Sequence, residues 1–401
     1  MGEALSTSGA EKLAERAAPA WPPQACPRSD DLESGVPGHQ AGVSLPQGPF
    51  GAAAATEVRL GRYLSERRAE LAALDAEADA LLGEPLAALA LRGGRRIRAC
   101  FVWLGWLAAG SPPERAEPAA LAAAVELLQL CALVHDDIMD ASRTRRGALS
   151  LHEQFAAHHR AHALSGDPVR YGQARALLAG DLALLWAEDL YRQASSDLAG
   201  RAATDAVWRA MRTEMVAGQN LDLVLQAEQS SSTAAALRVA ELKTARYSIE
   251  RPLHLGATAA GADAEAVLAL RAFGRRVGVA FQLRDDLLGV FGDPARTGKP
   301  CGDDLREGKR TFLLNLAVQR ASLRGDEKAR KVLHECVGSP GMTDRDIDRI
   351  REALVSLGAP QAVEQRIMRL VDEGVAHLST AAVPHDVSLA LADLARQVAA
   401  G

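Results

Sequence analysis

The sequence predicts an all-α fold, a single large helical bundle around a central cavity, and three observations carry that reading. Ala and Leu dominate while aromatic residues make up only 4%, a composition that favours helices over sandwiches or barrels. From Thr56 onward, apolar residues recur at helical spacing almost without a break. No segment shows sustained apolar–polar alternation bounded by hairpin turns, and no repeat of solenoid length occurs.

Residues 1–55 differ from the rest. They are rich in Gly, Pro, Ser and Ala, as in Trp21-Pro22-Pro23 and Pro46-Gln47-Gly48-Pro49, and read as a disordered leader ahead of one domain spanning residues 56–401. Glu57 to Leu82 and Arg95 to Ala109 mix charged and apolar residues at helical spacing. Pro118 to Asp140 reads as a long apolar helix with Pro in its first turn, about 34 Å in length. Ala174 to Gln193, Ala203 to Gln226, Thr233 to Gly256 and Ala264 to Val290 read as further helices, with several more after Thr311.

Composition narrows the function. The chain has 401 residues, 48% of them hydrophobic, which suffices for a sizeable core. A net charge of −5, from 46 basic and 51 acidic residues, gives no reason to expect nucleic acid as a partner. The five cysteines are odd in number and form no CxxC pair, so a reducing, cytoplasmic setting fits better than a disulfide framework or a zinc site. The N-terminus shows no signal-peptide pattern, and no run of 18 uncharged apolar residues occurs, so no membrane span is expected.

Two aspartate pairs carry the chemistry. In Leu133-Val134-His135-Asp136-Asp137-Ile138-Met139-Asp140, Asp136 and Asp140 stand one helical turn apart and share a face, with Asp137 beside them. Three mutually repelling carboxylates at the end of an apolar helix call for a hard cation. Taken alone, such a cluster reads better as a solvated helix end, since charge clusters are usually surface features. A second pair, Asp285-Asp286, follows another apolar helical run, Val277 to Phe281. Carboxylate clusters on two facing helices suit several Mg²⁺ ions, which take one or two carboxylates each and fill their shells with water and phosphate oxygens. The expected ligand is a diphosphate.

Basic segments complement that ligand. Gly93-Gly94-Arg95-Arg96-Ile97-Arg98 is a basic turn opening a helix, and Arg145-Arg146-Gly147 lies just after the first aspartates. Lys243-Thr244 lies within a helix. Lys299 and Lys309 flank a Gly-rich acidic loop, residues 298–308, suited to a mobile lid. His152, His158 and His159 read as a solvated helix face, and Trp103 and Trp106 as core or interface.

Together these motifs, with Leu178-Ala179-Gly180-Asp181, Gly218-Gln219-Asn220-Leu221-Asp222, Phe281-Gln282-Leu283-Arg284-Asp285-Asp286 and Gly308-Lys309-Arg310-Thr311, resemble in residues and order the trans-isoprenyl diphosphate synthases, the polyprenyl synthetase family, and among them a bacterial geranylgeranyl diphosphate synthase. The resemblance runs from about Tyr63 to the C-terminal end. It implies an isoprenoid synthase-like fold, a homodimer, and Mg²⁺-dependent head-to-tail condensation of isopentenyl diphosphate with an allylic diphosphate. It implies that Asp136, Asp137, Asp140 and Asp285 are metal ligands, with Asp286 supporting through water. Arg145, Lys243, Gln282 and Lys299 would bind the allylic diphosphate, Arg95, Arg98 and Arg146 isopentenyl diphosphate, and Thr244 and Lys309 would join the substrate-binding set. Gln129 stands where many relatives have His; either can donate to phosphate, but Gln carries no charge. Asp136, Asp137, Asp140, Lys243 and Asp285 would be the catalytic set.

Two departures stand out: Arg95 where the family has Lys, and Gly289 where the second motif has a third Asp. The small residues Cys131 and Ala132, about 6–7.5 Å below Asp136 along the helix, leave room for a product of twenty carbons, geranylgeranyl diphosphate. Shorter farnesyl or geranyl products, longer polyprenyl products, a class I terpene cyclase and a non-catalytic synthase subunit are the alternatives.

Overall fold

The computed structural model describes residues 48–110, 118–292, 302–379 and 383–400. The first helix, α1 (Gly48–Leu74), starts before residue 56, within the stretch read as a leader. Gly48-Pro49 reads as a helix breaker, yet proline in a first turn sacrifices no hydrogen bond. Ala52 and Thr56 are buried, and Thr56 Oγ1 accepts from Trp103 Nε1 at 3.3 Å. Residues 1–47, the rest of the predicted leader, lie outside the described residues.

The helices follow the predicted order: α2 (Glu84–Leu91), α3 (Ile97–Leu107), α4 (Pro118–Met139), α5 (Leu151–Ala161), α6 (Pro168–Ser195), α7 (Arg201–Ala227), α8 (Thr233–Val239), α9 (Arg251–Ala259) and α10 (Ala264–Phe291). Then come the short α11 (Asp303–Glu307) and α12 (Phe312–Arg324), α13 (Glu327–Glu335), α14 (Asp344–Ser356), α15 (Ala359–Leu378) and α16 (His385–Ala400). Between α8 and α9 the chain runs continuously through a π-helical segment, Ala240–Glu250. Such wide turns are uncommon and cluster at functional sites. This one is admitted by glycines on its neighbours: a Cβ at Gly218 on α7 would collide with the backbone of Lys243, and one at Gly278 on α10 with Ala245.

Two hydrophobic cores sit side by side. One gathers Leu60, Tyr63, Trp103, Trp106 and the apolar faces of α4 and α6; the other gathers Phe273, Leu283, Leu314, Ile350 and Ile367 around α10 and α15. Trp103 and Trp106 are thus core residues. α4 is long and apolar enough to cross a bilayer, with mean hydropathy 1.6, which the count of uncharged runs did not bring out; 67% of that stretch is buried by its neighbours. His152 and His159 also face inward, against the expected solvated face. His152 Nδ1 lies 3.2 Å from Ser150 Oγ, and His159 Nε2 lies 3.1 Å from Ser165 O.

Candidate active site

The last turn of α4 carries Asp136 and Asp137, and Asp140 follows it. A helix C-terminus is already the negative end of the backbone dipole, so three carboxylates there need positive partners. Each finds a different one. Asp136 Oδ1 accepts from Lys243 Nζ in the π segment at 3.3 Å, and the same ammonium donates to Asp222 Oδ2 on α7 at 2.8 Å. Asp140 Oδ2 lies 2.8 Å from Lys309 Nζ. Asp137 Oδ1 accepts from both Nε (2.8 Å) and Nη2 of Arg145. Burial pushes the Asp136 carboxyl up, but Lys243, Lys309 and Arg145 outweigh it and hold Asp136 below the usual carboxylate range.

Arg145 is aimed by a feature absent from the sequence reading. Residues 144–149 form a small hairpin, β1 (Thr144–Arg145) against β2 (Ala148–Leu149). Arg146 and Gly147 turn it with φ of 52° and 73°, the left-handed pair that a two-residue hairpin requires. This turn sends Arg145 inward to Asp137 and Arg146 toward the basic turn before α3. Arg146 Nη1 donates to the carbonyls of Leu89 and Arg92, both at 3.2 Å.

That basic turn divides its arginines. Arg96 points inward, at φ 46°, and donates to Glu126, Glu57 and the Ala90 carbonyl. Arg95 is exposed, its guanidinium 5.8 Å from the Phe281 ring centre. Arg98 Nη2 donates to Ser248 Oγ at 2.6 Å, while its Nε is buried without a partner among the described residues. Burial, together with Arg96, Arg145 and Arg98, depresses the Arg146 pKa. Guanidinium groups packed this closely, with donors left over, fit an anion.

Thr244 Oγ1 of the π segment donates to Gln282 Oε1 on the facing helix, α10, and Gln282 Nε2 donates to Asp286 Oδ1 at 2.7 Å. Burial, with the charges of Asp304, Asp285 and Asp222, raises the Asp286 pKa well above normal despite that hydrogen bond. Asp285 is exposed. Of the predicted lid, residues 298–301, Lys299 among them, lie outside the described residues; residues 303–307 are the short helix α11.

Below Asp136, Gln129, Ala132 and Leu133 of α4 are half-buried, whereas Leu127, Leu128, Leu130 and Val134 are fully enclosed. These three share the face of Asp136 by helical spacing. Gln129 Oε1 is buried with no partner among the described residues. Cys131, a candidate wall of the product channel and by its apolar surroundings a small core residue, is buried on α4. Its Sγ lies 3.8 Å from His135 Nδ1, and His135 packs on Gly180 of α6, so Cys131 faces α6. Burial pushes its thiol up to about 12, as in an inert core cysteine.

Three contributors escaped the sequence reading: Asp222, Ser248 and Glu307, whose carboxylate lies 2.8 Å from Lys309 Nζ. Asp222 closes a quoted motif, but its pairing with Lys243 depends on how α7 meets the π segment.

The residues suit Mg²⁺ and a diphosphate. Among the described residues no three His, Cys, Asp or Glu side chains are gathered tightly enough to cage a metal. Mg²⁺ does not need such a cage, since it keeps waters and substrate oxygens in its shell. Hard carboxylate oxygens stand opposite spare guanidinium donors, the two halves a metal–diphosphate would join.

Comparison with known proteins agrees with this geometry. The polyprenyl synthetase family model matches residues 79–354. A (2E,6E)-farnesyl diphosphate synthase of Mycobacterium tuberculosis is 33% identical over 305 residues, 76% of this chain and 79% of that protein. A geranylfarnesyl diphosphate synthase of Aeropyrum pernix is 33% identical over 280 residues, covering 68% and 79%. The crystal structure of a geranylgeranyl pyrophosphate synthase from Corynebacterium glutamicum, complexed with isoprenyl diphosphate and magnesium, superposes with a TM-score of 0.84 at 42% identity, covering 89% and 99% of the two chains.

Proposed function

The chain belongs to the polyprenyl synthetase family and is a prenyltransferase; on that premise we propose that it condenses isopentenyl diphosphate head-to-tail with an allylic diphosphate, using Mg²⁺ and yielding geranylgeranyl diphosphate. The observation that carries the reading is the pairing of Asp136, Asp137 and Asp140 with Lys243, Arg145 and Lys309 at the mouth of an apolar helix. This set balances its own charge and has both signs needed to receive a metal and a diphosphate.

Asp136, Asp140 and Asp285 would hold Mg²⁺, with Asp286 behind them. Asp137 is better suited to holding Arg145 in place, since its carboxylate is buried on that guanidinium. When bound, Mg²⁺ supplies Lewis-acid neutralisation of the leaving diphosphate. Lys243, Arg145 and Lys309 add preorganised positive charge at the same place. Arg95, Arg98, Arg146 and Gln129 orient isopentenyl diphosphate. The allylic C–O bond breaks, the double bond of isopentenyl diphosphate attacks the resulting cation, and the released diphosphate takes the proton. Leu133 and the buried residues behind it keep water from the cation.

The test is turnover of labelled isopentenyl diphosphate with each of the three common allylic starters, with Mg²⁺ and with a chelator. Product of twenty carbons, lost on chelation, is expected; a product stopping at fifteen would overturn the twenty-carbon reading. Ala132→Phe should shorten the product, and unchanged length would place the wall elsewhere. Arg98→Leu should raise KM for isopentenyl diphosphate by about 10- to 100-fold, as for loss of a charged hydrogen bond, leaving that for the allylic substrate little changed. We also assign a homodimer. Leu177, Leu178 and Leu185 of α6, 51–62% exposed along one side of the helix, are a surface a second copy would cover; sedimentation checks this.

A further inference from the structure

We propose that Glu214 of α7 is a positioning residue for isopentenyl diphosphate: it fixes the winding of the π segment and thereby sets Ser248, the hydroxyl that holds Arg98. The inference rests on the prenyl-transfer reading above and deepens its isopentenyl diphosphate side.

Among the described residues, the hydrogen bonds of the Glu214 carboxylate all run to two arginines. Oε1 accepts from Arg246 Nη1 at 3.0 Å and from Arg251 Nη2 at 2.6 Å, and Oε2 accepts from Arg251 Nε at 2.8 Å. Arg246 and Arg251 stand five apart in sequence. In an α-helix, at 3.6 residues per turn, residues five apart project about 140° from each other, which would part this pair. In a π turn the backbone bond itself joins residues five apart, and here Arg251 N donates to the Arg246 carbonyl. That bond brings the two guanidinium groups to one face, where a single carboxylate takes both.

The same spacing recurs toward the site. Lys243 and Ser248 are also five apart. Lys243 Nζ donates to Asp136 Oδ1 at 3.3 Å, and Ser248 Oγ accepts from Arg98 Nη2 at 2.6 Å. Tyr247, whose ring centre lies 5.0 Å from the Arg98 guanidinium, belongs to the same segment. Rewound as an α-helix, the segment would swing Ser248 about 140° from Lys243 and away from Arg98.

A π turn is rare, so a run of eleven residues needs support from its neighbours. α7 supplies it along one face, through Glu214, Gly218 and Asp222, each four from the next. Asp222 takes Lys243 at one end. Gly218 lets the two backbones meet in the middle, since a Cβ there would strike the backbone of Lys243 and not a movable side chain. Glu214 takes Arg246 and Arg251 at the other end. Burial pushes the Glu214 carboxyl up, but Arg251 and Arg246 outweigh it and hold it below the usual range, so the clamp carries its charge.

The test is steady-state kinetics on the full chain with Mg²⁺, isopentenyl diphosphate and an allylic diphosphate. Ser248→Ala should raise KM for isopentenyl diphosphate. Glu214→Gln keeps the shape and removes the charge. It should raise the same KM about three- to thirtyfold, the range for a residue that acts on a site through its neighbours. KM for the allylic substrate should change little, because Lys243 keeps Asp136 and Asp222. In the Ser248→Ala background, Glu214→Gln should add almost nothing, whereas independent effects would multiply in full. Glu188→Gln is the control. Glu188 of α6 likewise holds two arginines, Arg192 at 3.1 Å and Arg212 at 2.6 Å, so its loss should lower Tm without moving either KM. An unchanged KM in Glu214→Gln overturns the assignment. So do equal shifts for the two substrates, a matching shift in Glu188→Gln, or full multiplication in the double variant. Should Glu214→Gln fail to fold, Arg246→Gln, which leaves the Glu214–Arg251 pair in place, is read by the same criteria. A wild-type chain that turns over no isopentenyl diphosphate instead overturns the prenyl-transfer reading itself.

Discussion

Asp136→Asn should lower kcat/KM for prenyl transfer by about 10³-fold or more, in keeping with loss of a group that stabilises charge only as it develops. Asp136 stands where the arguments converge. It ends the apolar face of α4, it is the carboxylate nearest Lys243 on that helix, and Arg145 Nη2 lies 3.7 Å from its Oδ2. Asparagine keeps the shape and removes the charge. A metal would lose a ligand, and Lys243 would keep only Asp222 as an anionic partner. Lys243 is held above its usual pKa because Asp136 and Asp222 together outweigh its burial, so loss of Asp136 removes the larger of the two Coulombic contributions. Steady-state assays with Mg²⁺ check the prediction. A variant within tenfold of wild type, with its Tm unchanged, would mean that the first aspartate motif is not where the leaving group sits.

The largest effect on stability is expected at Glu126→Ala. Arg96 and Glu126 are almost wholly enclosed, their side chains 3% and 5% exposed, with Nη1 and Oε2 3.0 Å apart. Removing one member of a buried pair leaves the other's charge without compensation and costs about 3–5 kcal/mol. Glu57 is no substitute, because it is 45% exposed and exposed pairs contribute little. Arg96 also sits at φ 46°, a left-handed conformation that costs a non-glycine residue about 1–2 kcal/mol and is held only by its partners. Loss of Glu126 should therefore loosen the turn that presents Arg95 and Arg98, raising KM for isopentenyl diphosphate as well. Chemical denaturation measures the first effect and substrate titration the second. A loss of stability below about 1 kcal/mol would show that Arg96 reaches water when Glu126 is gone.

The long helices were legible because their periodicity is local. α4, α7 and α10 begin and end within a few residues of the positions read from spacing alone. The Arg145-Arg146-Gly147 hairpin was not, because two residues on each strand are too few for alternation to register. α1 was cut short at its start by the same kind of error in reverse, Gly48-Pro49 being a turn signal that a first helical turn tolerates.

Within the site, residue type and order carried most of the identification. Asp136, Asp140, Arg95, Arg98, Lys243, Gln282 and Lys309 all come to the same end of the bundle or its basic rim. Asp137, expected to hold metal, is found paired with Arg145, and Cys131 lies in the core beside His135, as its apolar surroundings suggest.

The sequence by itself determined the helical class, the two aspartate pairs and the basic segments, since each depends on spacing along one helix or turn. Only the tertiary structure decided which cation meets which carboxylate and which arginine turns inward. Those depend on contacts between helices far apart in the chain, such as Lys243 with Asp136. No local periodicity records how closely two helices approach. That distance is set by packing, and here by glycines whose missing side chains are visible only once the neighbour is in place.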